Sequence, residues 1–121
     1  MKLTNSKIYS CMQELNNFNI QEVKMPVRIS FFLQKNIQII VSSAQEIEQA
    51  RIDIAREHGE LNEDGTSYTI PSEKMNIVNQ ELNDLFNLEQ DLNIHIFKLN
   101  DFDGIELEFQ QLSAIMFMIE E

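Results

Sequence analysis

An apolar residue recurs every three or four positions through the middle of this chain. The members of this stripe are Leu33, Ile37, Ile40, Ala44, Ile47 and, after a break at Arg51, Ile54. Because an α-helix completes one turn in about 3.6 residues, this spacing places all of them on one helical face. We therefore predict one helix from about 27 to 58, which Gly59 ends in a left-handed cap.

A second stripe with the same spacing follows a turn signal at Asp64-Gly65. Its members are Met75, Val78, Leu82 and Leu85. They predict a helix from about 72 to 87, so that the two stripes form the seam of a long antiparallel helical hairpin. Between the two helices, Tyr68 and its neighbours predict a short strand at an exposed tip.

A shorter helix is predicted before the long one. Its shared apolar face consists of Ile8, Cys11, Met12 and Leu15. Thr4 or Asn5 can cap its start, and its end is expected near residue 17. We expect an irregular connection from 18 to 25, since the residue before Pro26 is disfavoured in helical geometry.

The pattern changes to strict alternation from residue 92 onward. The alternating apolar residues are Leu92, Ile94 and Ile96 and, after the turn signal Asp103-Gly104, Ile105, Leu107 and Phe109. Residues 92–109 are therefore predicted to form a small antiparallel hairpin, and residues 110–119 a closing helix. Together the segments predict a helix-rich α+β fold in a single domain over residues 1–121.

The charge balance is strongly acidic, with nine Lys and Arg against twenty Asp and Glu residues and a formal net charge of −11. Phosphate binding needs clustered basic residues, and those of this chain are scattered, so no direct binding of nucleic acid is predicted. An acidic field favours a protein partner with a basic surface, and a solvated acidic coat without a partner is the alternative. No uncharged stretch is long enough for a membrane span, and no export signal is expected.

The candidate metal-binding and catalytic groups of this chain are the lone cysteine, the two histidines and the acidic turns. The turns at Asp64-Gly65 and Asp103-Gly104 lack the bidentate glutamate that closes a calcium loop. Cys11, His58 and His95 come from three separate segments and are not spaced as zinc ligands. We predict no metal, no cofactor and no catalytic residue. Cys11 is expected to pack as a small hydrophobe, His58 to interact with its helix C-terminus, and His95 to lie on the polar face of a strand.

The order of motifs along the chain resembles that of a known family. The motifs are the N-terminal Met-Lys-Leu-Thr-Asn, Pro26-Val27 leading to Phe32-x-x-Lys35-Asn36, Glu46-Ile47-Glu48-x-x-Arg51, Gly59, the Asp64-Gly65 turn, Asn79-x-Glu81-Leu82-x-Asp84-Leu85-x-Asn87-x-Glu89 and the closing Phe117-Met118-Ile119-Glu120-Glu121. In this order they resemble small uncharacterised proteins encoded by tailed phages and prophages of Gram-positive bacteria. The resemblance spans nearly the whole chain. It implies a phage origin, a gene among tail and lysis genes and a place in the bacterial host cytoplasm or the virion, and it carries over no catalytic residue.

These observations favour non-catalytic binding to another protein, in the form of an acidic inhibitor of a host defence protein. The residues predicted to face this partner are Glu57, Glu60, Glu63, Asp64, Tyr68, Asp101, Asp103, Glu106 and Glu108. The alternative is a tail or virion assembly component that self-associates. For the adjacent Phe31 and Phe32, core packing is the favoured interpretation and a further interface is the alternative, because neighbouring rings on a helix cannot both face the same side. An enzyme is the third possibility and is disfavoured, because no set of nucleophile, base and electrophilic helper is recognisable.

Overall fold

The computed structural model describes residues 1–17 and 20–120, apart from the side chain of Gln21. Within them the helices are α1 (Asn5–Asn17), α2 (Val27–His58), α3 (Met75–Asn87) and α4 (Phe109–Ile115). The strands are β1 (Lys2–Thr4), β2 (Glu60–Leu61), β3 (Tyr68–Thr69), β4 (Glu89–Asp91), β5 (Phe97–Lys98) and β6 (Ile119–Glu120). Four 3₁₀ turns connect them, at Ile20–Glu22, Ser72–Lys74, Leu99–Phe102 and Met116–Met118. The helix-rich α+β class predicted from the sequence is confirmed.

The long helix α2 follows the first stripe closely. Leu33, Ile40, Ala44 and Ile47 are buried, while Ile37 and Ile54 are half-buried. The predicted end at His58 is confirmed, but the left-handed cap is wrong, because Gly59 has a φ of −105°. A glycine fits there because a Cβ would lie 2.6 Å from the carbonyl oxygen of Ala55.

The seam between α2 and α3 is only partly closed. Val78 is buried, Leu82 and Leu85 are half-buried, and Met75 is exposed. The buried face of α2 packs more extensively against α1 than against α3. The predicted hairpin with its short β2–β3 tip is therefore present, and α1 supplies much of the apolar surface that covers it.

The hairpin predicted over residues 92–109 is wrong. The strand β4 pairs antiparallel with β1 at the N-terminus, and β5 pairs parallel with β6 near the C-terminus. Residues 105–108 are in no strand, although Ile105 and Leu107 still pack against the core. The alternation also assigns the buried side chains only in part, because Ile96 and Phe109 are exposed and Phe97, on the opposite side of the pattern, is buried. Local alternation does not specify which strand is the partner, and both partners are remote in sequence.

The ends of the short helices differ modestly from prediction. Thr4 caps α1, since its Oγ1 accepts a hydrogen bond from the backbone N–H of Lys7 at 3.1 Å. The closing helix ends earlier than predicted, at Ile115, because the chain tightens into a 3₁₀ turn before β6. Of the predicted connection from 18 to 25, Phe18 and Asn19 lie outside the described residues.

Two buried asparagines join elements that are remote in sequence. The Nδ2 of Asn5 donates to the carbonyl oxygen of Leu85 at 2.8 Å, and its Oδ1 accepts from the Nε2 of Gln90 at 2.7 Å. Asn36 makes a two-way contact with His95: its Nδ2 donates to the carbonyl oxygen at 2.8 Å and its Oδ1 accepts from the backbone N–H at 2.8 Å. Each amide thus donates to a main-chain carbonyl oxygen of a segment remote in sequence.

Cys11 packs in the core, as the sequence predicted, with 2% of its surface exposed. Burial raises the pKa of its thiol, because the thiolate would lose its hydration. We expect alkylation by iodoacetamide to be about 100-fold or more slower in the folded protein than in urea. Equal rates in both conditions would contradict this packing.

None of the helices among the described residues combines the length and apolar character needed to cross a bilayer.

Candidate functional site

The residues predicted to face a partner fall into two groups near opposite ends of α2. Asp101 lies 3.8 Å from Arg28, at the start of this helix, whereas Glu57 belongs to its last turn. Positions 28 and 57 of a straight helix are about 44 Å apart, at 1.5 Å per residue. The predicted set therefore does not form one continuous surface. The first group is Asp101, Asp103, Glu106 and Glu108, and the second is Glu57, Glu60, Glu63, Asp64 and Tyr68.

In the first group, Asp101 has an internal structural role. Its Oδ2 accepts a hydrogen bond from the backbone N–H of Lys98 at 2.9 Å and so caps the 3₁₀ turn Leu99–Phe102. The chain then turns at Gly104, whose φ of +79° is one that glycine adopts without steric cost. This turn leads directly into the segment 105–108.

Side chains along the segment 105–108 alternate between the core and solvent. Ile105 and Leu107 are half-buried against the core, whereas Glu106 and Glu108 are exposed. Both carboxylates are therefore exposed to solvent, although the predicted strand pairing is absent. Glu108 then starts α4, where its backbone N–H donates to the Oε1 of Gln111 at 3.0 Å.

An open groove of about 870 Å³ runs between this segment and the chain before α2. It is lined by Glu22, Val23, Lys24, Gly104, Ile105, Glu106, Leu107, Glu108 and Gln111. Three carboxylates thus face one ammonium group, which gives the groove a negative potential. We call this feature the acidic groove.

The main chain along one wall of the acidic groove has hydrogen-bonding groups that the backbone of the described residues does not use. The backbone N–H of Ile105 donates to the carbonyl oxygen of Phe102 at 3.0 Å, and the carbonyl oxygen of Glu108 accepts from Leu112 at 3.0 Å. Between them, Glu106 and Leu107 make no backbone–backbone hydrogen bond within residues 1–17 and 20–120. An incoming peptide strand can pair with groups of this kind.

The second group lies around the β2–β3 tip. Asp64 accepts a hydrogen bond from the backbone N–H of Thr66 at 3.1 Å, which lowers the pKa of its carboxyl group. The hydroxyl oxygen of Tyr68 accepts from the Nε of Arg56 at 3.2 Å, so this half-buried ring fastens the tip to α2. Glu60 and Glu63 are exposed. The contacts of Asp64 and Tyr68 thus hold the turn and the tip in place.

Sequence reasoning missed a contact between helices near the same end of α2. The Nε2 of His58 lies 2.9 Å from the Oε2 of Glu81 on α3 and 4.0 Å from the Oε2 of Glu57. His58 is the last residue of α2, as predicted, but its ring contacts a carboxylate of another helix. The register of the two helices, which the sequence does not specify, brings these groups together.

His95 does not lie on a strand as predicted. It follows β4 in an irregular segment and stacks on Phe32 with ring centroids 4.2 Å apart. Phe31 faces away from this stack, is 56% exposed, and has the Nζ of Lys35 5.7 Å from its ring centroid. The adjacent rings thus take different roles, one in packing and one at the surface.

Comparison with protein-family models, with curated proteins and with solved structures gives no match.

Proposed function

We propose that this protein is a non-catalytic binding module whose acidic groove receives an extended, basic segment of a partner protein. The observation that carries the proposal is the combination, in one open groove, of three carboxylates with main-chain groups at Glu106 and Leu107 that make no backbone–backbone hydrogen bond to the described residues. The main chain offers affinity without sequence specificity, and the carboxylates select for Lys or Arg at alternate positions.

The more specific proposal is that the partner is a basic host protein, such as a defence nuclease. The module would inhibit this protein by occupying its nucleic-acid-binding surface. The support for this form is the net charge of −11 and the resemblance to phage proteins. Of the two groups of predicted residues, we assign the first, which lies along the acidic groove, to this contact. The second group, around the β2–β3 tip, lies near the opposite end of α2, about 40 Å from the groove, and belongs to a different surface.

Self-association as an assembly component is the second candidate, and the exposed Val27 and Phe31 favour it. They are 82% and 56% exposed and lie four residues apart on α2, hence on the same helical side. Two side chains supply far less area than the roughly 800 Å² per partner of a stable interface. An apparent molar mass that rises with protein concentration in light scattering would favour self-association over binding in the groove.

The proposal is tested with a labelled peptide of alternating Lys and Val, measured by fluorescence anisotropy. We expect saturable binding that the double variant E106K/E108K weakens about tenfold or more, because two carboxylates become ammonium groups. The matched control is E60K/E63K, which changes the net charge equally at the other end of α2. Equal weakening by both double variants would show a general charge effect and contradict the groove.

A second peptide separates main-chain pairing from charge. N-methylation at alternate residues removes main-chain donors while every lysine remains, so binding should fall well below that of the unmodified peptide. Affinity should also decrease steeply as salt rises. Pull-downs from host lysate can identify the natural partner. We expect the wild-type chain and E60K/E63K to retain this protein and E106K/E108K to lose it.

A further inference from the structure

Three metal-ligating side chains converge where the end of α2 meets α3. Glu57 and His58 come from the last turn of α2, and Glu81 comes from α3. One ligand atom from each, the imidazole nitrogen and two carboxylate oxygens, lies within 4.8 Å of the other two. We call this trio the helix-end cluster.

Only one of the two contacts between His58 and a glutamate in this cluster is a hydrogen bond. The Nε2 of His58 carries at most one proton, and the Oε2 of Glu81 at 2.9 Å is placed to accept it. The Oε2 of Glu57 lies 4.0 Å from the same nitrogen, beyond hydrogen-bond distance. Two carboxylates thus lie within 4.0 Å of one imidazole nitrogen, and only that of Glu81 is within hydrogen-bond distance.

A divalent cation would satisfy all three groups together. Ligands at about 2.0–2.2 Å in tetrahedral geometry lie about 3.3–3.6 Å from one another, between the two distances observed. The side chain of Glu57 is 70% exposed, so its carboxylate can move the few tenths of an ångström toward His58 that coordination requires. The side chain of His58 is 14% exposed and is held by its surroundings. Two carboxylates balance the charge of the ion, and a fourth position remains open to water.

We propose that the helix-end cluster binds a zinc-class divalent cation through His58, Glu57 and Glu81. One imidazole with two carboxylates suits borderline ions such as Zn²⁺ or Co²⁺ better than Ca²⁺, which takes six to eight oxygen ligands. The ion would join α2 to α3 at a point where their apolar seam is only partly closed. Metal binding should therefore stabilise the fold, since it favours the folded state alone.

Titration of the untagged chain with Zn²⁺ in a calorimeter tests the proposal. We expect one ion per chain and an increase in melting temperature on adding Zn²⁺. H58Q keeps an amide that can hydrogen-bond to Glu81, and E57Q alters an exposed side chain, so both variants should fold. Each should weaken Zn²⁺ binding about tenfold or more, while E60Q, an exposed glutamate outside the cluster, should leave it unchanged.

Cobalt provides an independent readout of the ligands. Co²⁺ held in a tetrahedral site by nitrogen and oxygen shows ligand-field bands much stronger than those of the aquo ion and lacks the intense near-ultraviolet band of a cobalt–thiolate bond. H58Q should reduce the ligand-field bands to the level of the aquo ion. A thiolate band would place the metal at Cys11 and overturn the proposal. Zn²⁺ affinity that is equal in the wild type and H58Q, or no saturable binding, would overturn it as well.

Discussion

Replacing Phe97 with alanine is expected to lower the free energy of unfolding by about 3–5 kcal/mol. Phe97 is 1% exposed and lies between two other rings, with centroids 5.2 Å from Phe102 and 4.8 Å from His95. It also belongs to β5, whose parallel pairing with β6 holds the C-terminal end of the chain. The substitution would leave a cavity and remove edge-to-face contacts between aromatic rings. Since domains are stable by about 5–15 kcal/mol, this loss is a large fraction of the total.

The matched control for this change is Phe109→Ala. Phe109 is 83% exposed at the start of α4, so the same atoms are removed with almost no loss of burial. Urea denaturation followed by circular dichroism gives both values, and we expect a change within about 0.5 kcal/mol for the control. Similar losses for the two variants would contradict the placement of Phe97 in the core.

Replacing Asn36 with aspartate is expected to destabilise the fold at pH 7 by about 2–4 kcal/mol. The side chain is 1% exposed, and its Nδ2 donates to the carbonyl oxygen of His95. An ionised aspartate would bring a second acceptor against that oxygen and bury a charge. A protonated carboxyl group can both donate and accept, as the amide does.

The pH dependence of this variant distinguishes charge from packing. The charged form is disfavoured in the fold, so the folded-state pKa of Asp at position 36 should lie above its unfolded value of about 3.9. A raised folded-state pKa means that the destabilisation appears as pH rises through this range and largely disappears below it. Asn83→Asp, the same change on the exposed surface of α3, should show a small loss at pH 7. A deficit for Asn36→Asp that is as large at pH 4 as at pH 7 would contradict the amide's role.

The helical part of this fold could be read from the sequence because helix signals are local. The stripe from Leu33 to Ile47 recurs at the helical period, and the burial of its members follows from it. The strands could not be read in the same way. Alternation correctly placed Ile105 and Leu107 against the core but not Ile96 and Phe109, which are exposed. The partners of β4 and β5 lie near the two chain ends.

Only some components of the candidate site were predictable from the sequence, and its assembly was not. Glu106 and Glu108 were identified as outward-facing carboxylates from alternation alone. Glu22 and Lys24, which line the opposite side of the groove, carry no sequence signal of that role, because an irregular connection brings them there. Glu81 likewise has no sequence signal that distinguishes it from the other acidic residues of the chain. The register of α2 and α3 places its Oε2 2.9 Å from the Nε2 of His58.

The sequence by itself determined the existence of the helices, the buried faces of α1 and α2, the acidic charge and the packing of Cys11, because these depend on spacing and composition within a few turns of chain. Only the tertiary structure decided that the predicted acidic surface is divided between opposite ends of α2, that a groove follows Glu106 and Glu108, and that Glu57, His58 and Glu81 meet. These outcomes depend on how elements remote in sequence pack against one another. Such packing is set by the shape of the whole core, which no local pattern specifies.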